Sequence, residues 1–273
     1  MSLVQIIVLA LIQGTTEFLP ISSSGHLILV PFLTGWPDQG VVTDMVTNLG
    51  TLAAVIVYFW HDVIAMLRGV VDAVRGERTR DSRLMLNVVI GTVPIILVGI
   101  AMKAAHLDDH IRSALLVAWN AIVFGVLLYL ADAFGLAKRS VTDMNWKTSL
   151  IIGCSQALAL SPGTSRSGIT MTAGRGLGFV RPEAARFSFL LSIPANGAAS
   201  VFVIGHALRS GEHLSGAVIL TGVLTFFVGL GAITILMQLV RRMSFLPFAI
   251  YRVLLGAVLL GLIYSGVTLG AVN

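Results

Sequence analysis

A polar segment at residues 17–26 (EFLPISSSGH) interrupts an apolar N-terminal stretch and strongly constrains the fold. The apolar runs beside it, 3–12 and 27–33, are short. As helices they reach only ~15–20 Å, whereas the hydrocarbon core of a membrane is about 30 Å thick. Two half-length helices around a polar loop predict a re-entrant hairpin, which is tolerated where protein or a water-filled cavity surrounds the loop.

The membrane setting follows from the composition. Of the 273 residues, 56% are hydrophobic and 11% are charged, whereas soluble domains carry roughly a quarter charged residues. Too few polar residues remain to cover a soluble core. We therefore predict an all-α integral membrane protein, and we assign its net charge of +5 to cytoplasmic loops rather than to nucleic-acid binding.

The pattern of the first hairpin returns in the second half of the chain. Another polar loop, 161–170 (SPGTSRSGIT), lies between short apolar runs at 150–160 and 169–179. Three full-length spans follow each hairpin, and we predict them at 44–60, 84–102, 113–131, 187–205, 217–237 and 246–264, with a charged loop at 68–83 and an acidic turn at 106–110. The chain is thus predicted to be a single membrane domain, 1–273, with one repeat at 1–135 and a second at 140–273.

The number of spans predicts that the two repeats have opposite orientations. Three spans per half is an odd number, so the second half enters the membrane from the other side, and the site is expected near the midplane where the repeats meet. With both termini outside, thirteen Lys and Arg residues lie in cytoplasmic segments and three in external ones. This excess predicts that both termini lie on the outer side.

The tips of the two hairpins carry the candidate chemistry. Ionisable groups at membrane depth are costly and by default mark a functional site, so Glu17 and Arg166 are predicted partners. Helices that start near Ser24 and Ser167 would aim free N–H groups at one point, which together with a bidentate arginine predicts a phosphate or pyrophosphate site. The residues predicted to bind the substrate are Gln13, Ser22, Ser24, Gly25, Gly163, Thr164, Ser165, Ser167 and Thr170.

The first tip also indicates a reaction. A serine needs a base to become a nucleophile, and for Ser23 either Glu17 or His26 can serve. His26 can alternatively be the nucleophile itself or protonate the leaving phosphate. A carboxylate beside phosphate oxygens is also a common way to hold Mg²⁺ or Ca²⁺. Asp44 and Asn48, four residues apart on one predicted helix, are expected to have a packing or capping role.

At these two loops the chain resembles the undecaprenyl-pyrophosphate phosphatase family of bacteria, also called the bacitracin-resistance protein family. The first motif reads Gln13, Glu17 and residues 20–26 (PISSSGH), and the second reads 162–168 (PGTSRSG) followed by Thr170. The resemblance covers nearly the whole chain. One position departs from it, because many members have a glutamate where this chain has Gln13. A glutamine can coordinate metal through its carbonyl oxygen but cannot be a base. Any acid–base or metal-binding role therefore falls mainly to Glu17.

The resemblance implies hydrolysis of undecaprenyl pyrophosphate to undecaprenyl phosphate and inorganic phosphate, which recycles the lipid carrier for cell-wall synthesis and confers bacitracin resistance. It implies a multi-pass protein of the bacterial plasma (inner) membrane, acting on the outer side with a divalent cation, Mg²⁺ or Ca²⁺, which Glu17 and Gln13 would hold. It also implies an active site of Ser23, His26, Glu17 and Arg166. Ser23 is the predicted nucleophile, with His26 as the alternative.

Two questions stay open at the level of sequence. Inverted repeats are common in secondary transporters, so a polyprenyl-phosphate transporter or flippase that uses the same phosphate site is a second hypothesis. Whether a second copy of the chain is a partner, in a homodimer, also stays open.

Overall fold

The computed structural model describes residues 1–105, 113–209 and 214–265, so the predicted acidic turn at 106–110 lies outside the described residues. Within these ranges the structure is helical, and the β-type pairing consists of an isolated bridge between Arg139 and Phe179. The helices are α1 (Leu3–Thr16), α2 (Ser23–Thr34), α3 (Val41–Tyr58), α4 (Trp60–Val74), α5 (Arg80–Ala104), α6 (Ala114–Phe134), α7 (Trp146–Ala157), α8 (Arg166–Gly176), α9 (Arg181–Arg209), α10 (Gly216–Arg242) and α11 (Leu246–Tyr264), with single 3₁₀ turns at Val141–Asp143 and Leu158–Leu160.

Six of these helices, α3, α5, α6, α9, α10 and α11, are long and apolar enough to cross a membrane. Their mean hydropathy lies between 1.5 and 2.4. Large apolar side chains such as Leu97, Ile100, Val201 and Leu254 are exposed on their outer faces. In water such a surface would be unfavourable, whereas lipid chains solvate it. The predicted class, an all-α integral membrane protein, is confirmed.

The prediction of a charged loop at 68–83 is wrong over most of its length. Helix α4 continues to Val74, and α5 begins at Arg80, so only five residues separate them. Thr79 caps α5 by accepting a hydrogen bond from the Ser82 N–H, and its own hydroxyl donates to Asp72 of α4 at 2.6 Å. Of the charged residues at 68–83, only Arg68 and Asp72 lie on α4, which packs against α5, while Arg80, Asp81 and Arg83 lie in the first turn of α5.

Short helices lie beside both polar loops. The loop at 17–22 separates α1, of 14 residues, from α2, of 12 residues. The loop at 158–165 separates α7, of 12 residues, from α8, of 11 residues. Helix α1 packs against α10, α7 packs against α5, and α8 packs between α6 and α9. The longer helices therefore hold both loops in place from the sides.

Two further contacts fix the helices that carry the loops. Phe18 of the first loop is buried and lies edge-on against Phe189 of α9, with ring centroids 5.5 Å apart. At the far end of α8, Arg175 donates from Nε to the buried Asp132 of α6 at 2.8 Å. Asp132 also accepts from Arg181 Nε at 2.7 Å and from the Phe245 N–H at 2.8 Å. Helix α8 is thus tied to α6, α9 and the start of α11.

Candidate active site

The two loops end in the same backbone conformation. Ser22 precedes α2 with φ 74°, and Ser165 precedes α8 with φ 68°. Each serine caps its helix, accepting from the Gly25 N–H at 3.4 Å and from the Gly168 N–H at 3.1 Å, respectively. Positive φ costs a non-glycine residue about 1–3 kcal/mol and is typically retained where a site requires it. The two helix N-termini were predicted near Ser24 and Ser167, and each lies one residue earlier.

The carboxylate of Glu17 is the centre of the site. Its Oε1 accepts from Arg166 Nη2 at 2.9 Å and from Asn196 Nδ2 at 3.2 Å. Its Oε2 accepts from Ser23 Oγ at 2.7 Å and from Gln13 Nε2 at 3.3 Å. Four donors from α1, α2, α8 and α9 therefore converge on one carboxylate, which uses about its full capacity as an acceptor. The side chains of Arg166 and Glu17 are only 12% and 10% exposed.

Some buried polar atoms beside this cluster have no hydrogen-bond partner within the described residues. They include Nη1 of Arg166 and Oε1 of Gln13, together with Oγ1 of Thr164 in the second loop. A buried polar group left unpaired costs about 1–3 kcal/mol. The guanidinium can therefore donate to an anionic ligand, and the glutamine oxygen can accept from a ligand or coordinate a cation.

His26 has different partners from the Glu17 cluster. Its Nδ1 lies 2.7 Å from the carbonyl oxygen of Ser22, and its Nε2 lies 2.6 Å from the hydroxyl of Tyr251. The His26 and Tyr251 rings are stacked, with centroids 5.7 Å apart and an interplanar angle of 7°. Of the four residues predicted to form the active site, the structure brings Glu17, Ser23 and Arg166 into one hydrogen-bonded group and joins His26 to another helix.

His26 and Tyr251 border an open cleft of about 580 Å³ between α1 and α11, which we call the α1–α11 cleft. Its other walls are mainly apolar and are formed by Leu11, Ile12, Thr15, Thr16, Leu19, Ile21, Pro247 and Phe248. The hydrogen-bonded pair of His26 and Tyr251 thus lies at the wall of this cleft.

The other residues predicted to bind the substrate lie at or near the loop tips, and several of them make hydrogen bonds within the protein. Ser24 is exposed, and its hydroxyl lies 3.2 Å from that of Ser22. Ser167 donates to the carbonyl of Leu19, which joins the second loop to the first at 3.2 Å. Thr170 is buried, and its hydroxyl lies 2.6 Å from that of Ser188. This hydrogen bond joins α8 to α9.

Gly163, another residue predicted to bind the substrate, also allows the second loop to pack against α6. Its φ is 86°, and a Cβ atom there would lie 2.6 Å from the carbonyl oxygen of Val117 on α6. The second loop can therefore approach α6 closely only with a glycine at this position.

Sequence reasoning missed Arg252, which is fully buried in the middle of α11. Its guanidinium donates to the carbonyl oxygens of Pro20 in the first loop at 3.2 Å, and of Gly163 and Thr164 in the second loop at 3.0 and 2.8 Å. It also donates to two carbonyls of α6, those of Asn120 and Ala121. The signal was present, because a lone arginine inside an apolar span indicates a functional or structural polar site.

Three asparagines also make hydrogen bonds at or beside the site, and two of them, Asn196 and Asn120, were missed. Asn196, within a predicted span, reaches the Glu17 carboxylate, and Asn120 donates to Ser161 Oγ at 2.8 Å. For Asn48 a packing or capping role was expected rather than a catalytic one, and its Oδ1 accepts from Gln13 Nε2 at 2.8 Å. Amide side chains within otherwise apolar spans were the available sign of these contacts.

Comparison with known proteins decides the family. The family described as "Bacitracin resistance protein BacA" matches residues 6–258. The chain belongs to this family. It is 42% identical to the "Undecaprenyl-diphosphatase" of Erythrobacter litoralis (strain HTCC2594), with 95% of this chain and 99% of that protein covered. It is 44% identical to the "Undecaprenyl-diphosphatase" of Ruegeria pomeroyi, with 97% and 100% covered. Identity to the "Undecaprenyl-diphosphatase 2" of Stutzerimonas stutzeri (strain A1501) is 46%, with 98% and 100% covered.

These matches confirm the family resemblance that was drawn from the two polar loops. BacA family membership also agrees with the six apolar helices, since both indicate a multi-pass membrane protein. The relatives span nearly the whole length of the chain, so the site and the helices around it lie within the matched region.

Proposed function

We propose that this protein hydrolyses undecaprenyl pyrophosphate to undecaprenyl phosphate and inorganic phosphate, and thereby recycles a lipid carrier for cell-wall synthesis and confers bacitracin resistance. The names of its relatives support this activity. The observation that carries the proposal is the hydrogen bond from the Ser23 hydroxyl to a carboxylate that is also paired with Arg166. Ser23 as the nucleophile and the Arg166 guanidinium as the phosphate-binding group are thus both hydrogen-bonded to Glu17, which is the base.

Arg166 is proposed to bind the terminal phosphoryl group. Its Nη2 is paired with Glu17, while its Nη1 is buried without a partner and can donate to a phosphoryl oxygen. Ser23 begins α2 and Arg166 begins α8, and both side chains bond to the Glu17 carboxylate. Helix N-termini favour anions. Since charge develops on the phosphoryl oxygens during transfer, donors that are already in position stabilise the transition state.

Ser23 is proposed as the nucleophile and Glu17 as its base. Ser23 Oγ attacks the terminal phosphorus while Glu17 accepts the hydroxyl proton. The bond from phosphorus to the bridging oxygen breaks, and undecaprenyl phosphate leaves. Water then attacks the phosphoserine, the bond from phosphorus to Oγ breaks, and Glu17 returns the proton to Ser23. His26 remains the alternative nucleophile, but Tyr251 lies at hydrogen-bond distance from its Nε2.

A divalent cation, Mg²⁺ or Ca²⁺, is proposed as the cofactor. The described residues contain no cluster of three or more His, Cys, Asp or Glu side chains that would form a metal cage. Mg²⁺ needs only one or two carboxylates when substrate phosphates complete its coordination. Oε1 of Gln13 has no partner, and Glu17 would bind the cation in place of one of its present donors, such as Gln13 Nε2 at 3.3 Å, so the residues fit. When bound, the cation would offset the charge of the pyrophosphate.

Gln13→Glu tests this cofactor. We expect the variant to need about tenfold less Mg²⁺ for half-maximal activity, because a second carboxylate adds ~1.4 kcal/mol of attraction for the cation. In the wild-type protein, EDTA should abolish phosphate release and added Mg²⁺ or Ca²⁺ should restore it. Titration of Mg²⁺ against activity measures both effects. Full activity in EDTA, or an unchanged Mg²⁺ requirement in the variant, would contradict the proposal.

The inverted-topology repeat is also proposed. It is supported by two re-entrant candidates, α1–α2 and α7–α8, with matching caps at Ser22 and Ser165 and three candidate spans after each pair. We propose repeats at 1–135 and 140–273 within one domain, in the bacterial inner membrane, with both termini and the site on the periplasmic side. The charge excess supports this orientation. One chain supplies every side chain of the Glu17 cluster, so this cluster does not require a second copy. The homodimer stays a prediction.

Phosphate release by purified protein in detergent tests the function. With undecaprenyl pyrophosphate and Mg²⁺, we expect steady release of one inorganic phosphate per substrate and accumulation of undecaprenyl phosphate. Detergent provides no second compartment, so transport cannot produce this signal. Binding of the lipid without turnover would overturn the proposal and favour the polyprenyl-phosphate transporter, which requires Arg166 but has no need for Ser23 to be held on a base.

A further inference from the structure

The proton on His26 can be assigned from its partners. Nδ1 lies 2.7 Å from the carbonyl oxygen of Ser22, and a carbonyl can only accept a hydrogen bond. Nδ1 therefore carries a proton. In a neutral imidazole the other nitrogen, Nε2, is then an acceptor, so the Tyr251 hydroxyl at 2.6 Å must be the donor.

The surroundings favour the neutral imidazole. Among the described residues that line the α1–α11 cleft, His26 and Tyr251 are the titratable ones, and the other side chains are apolar or carry hydroxyls. The described carboxylates make their ion pairs with arginines, as Glu17 does with Arg166, and none pairs with His26. A charged imidazolium would therefore have no counter-ion beside this apolar wall.

We propose that Tyr251 is a positioning residue that locks His26 in the tautomer protonated at Nδ1 and holds the basic Nε2 at the α1–α11 cleft. The proposal rests on the proposed phosphatase activity. It assigns His26 the role of an acceptor at Nε2, of the Tyr251 hydrogen bond and, when that bond opens, of a proton, whereas sequence reasoning left acid, base and nucleophile open. Stacking of the two rings keeps the imidazole plane fixed while the hydroxyl fixes the proton.

The position of Tyr251 suits this role. It lies on α11 beside Arg252, whose guanidinium holds the carbonyls of both polar loops. The same turn of α11 therefore fixes the loop backbone through Arg252 and the imidazole through Tyr251. Tyr251 is exposed at the cleft, so its replacement leaves the buried core intact.

Tyr251→Phe removes the hydroxyl and keeps the ring. The full-length protein, labelled with ¹⁵N-histidine, is compared in detergent micelles by NMR, with His26→Asn identifying the His26 signals. We expect the wild-type Nε2 to show the shift of a hydrogen-bonded acceptor nitrogen, and in Tyr251→Phe to move toward the position of a free one. Tyr264→Phe, the same change at the other end of α11, is the matched control and should leave these signals unchanged.

Kinetics provides the second readout. Tyr251→Phe should lower kcat about fivefold with KM changed less than twofold, since a hydrogen bond of this kind contributes about 1 kcal/mol. An unchanged His26 spectrum, a wild-type proton on Nε2, or a shifted spectrum with unchanged kcat would each overturn the proposal. If the Phe variant does not fold, Tyr251→Met is measured in the same way. Absence of phosphatase activity in the wild type would instead refute the proposed function, and the spectra would still report the tautomer.

Discussion

Ser23→Ala is expected to lower the kcat of phosphate release by at least about 10³-fold, because it removes the proposed nucleophile. It should leave the Glu17–Arg166 pair in place, since Arg166 donates to the other carboxylate oxygen. Stability should therefore change by no more than about 1 kcal/mol, the usual contribution of one hydrogen bond. Phosphate release and thermal unfolding in detergent are measured together, with Ser265→Ala at the exposed end of α11 as the matched control.

Glu17→Gln completes the same test. The substitution keeps the shape of the side chain but removes the base, and loss of a general base typically costs about 10²–10⁴-fold in rate. It also leaves Arg166 without a carboxylate, so some loss of stability is expected in addition. Glu77→Gln, on the exposed connection between α4 and α5, is the control for the change itself. Activity of both Ser23→Ala and Glu17→Gln within tenfold of the wild type would rule out the proposed site.

Arg252→Met is expected to have the largest effect on stability. It removes the donors from five carbonyl oxygens, which belong to α6 and to both polar loops. Each buried carbonyl left unpaired costs about 1–3 kcal/mol, so a loss on the order of 5 kcal/mol is expected. That is a large part of the 5–15 kcal/mol that typically separates folded from unfolded protein.

The measurement is again thermal unfolding and phosphate release in detergent. Arg252→Lys should retain part of both, because a lysine keeps the charge and three donors but lacks the planar fork. Arg241→Met, at the exposed end of α10, is the control for loss of an arginine. If Arg252→Met unfolds at the wild-type temperature and remains fully active, the carbonyl contacts of Arg252 are dispensable and the account of how the loops are held is wrong.

The sequence predicted the parts of the site that local rules govern. Charged groups deep in an apolar chain must find partners, and this rule led to the pairing of Glu17 with Arg166, which the structure contains. Glycines and serines after a half-length apolar run predicted the helix starts to within one residue. These inferences needed only the distance along the chain and the cost of burying a charge.

What the sequence did not predict depends on contacts between distant segments. Nothing near Arg252 indicates that its acceptors lie 88 to 232 residues away along the chain. The orientation of His26 depends on Tyr251, which lies 225 residues later in the chain. Spacing along the sequence therefore could not show that His26 lies apart from Glu17, Ser23 and Arg166. The helical segment up to Val74 was missed because the charges of α4, of the short connection and of the first turn of α5 were taken together as one loop.

The bonds between the two polar loops have a consequence for motion. Arg166 crosses from the second loop to Glu17, Ser167 donates to Leu19, and Arg252 holds carbonyls of both loops at once. A rocking movement that drew the loops apart would have to break all of these bonds in the same step. Such a barrier favours a reaction chamber of constant shape, in which the lipid headgroup travels to the loops and the loops stay together throughout turnover.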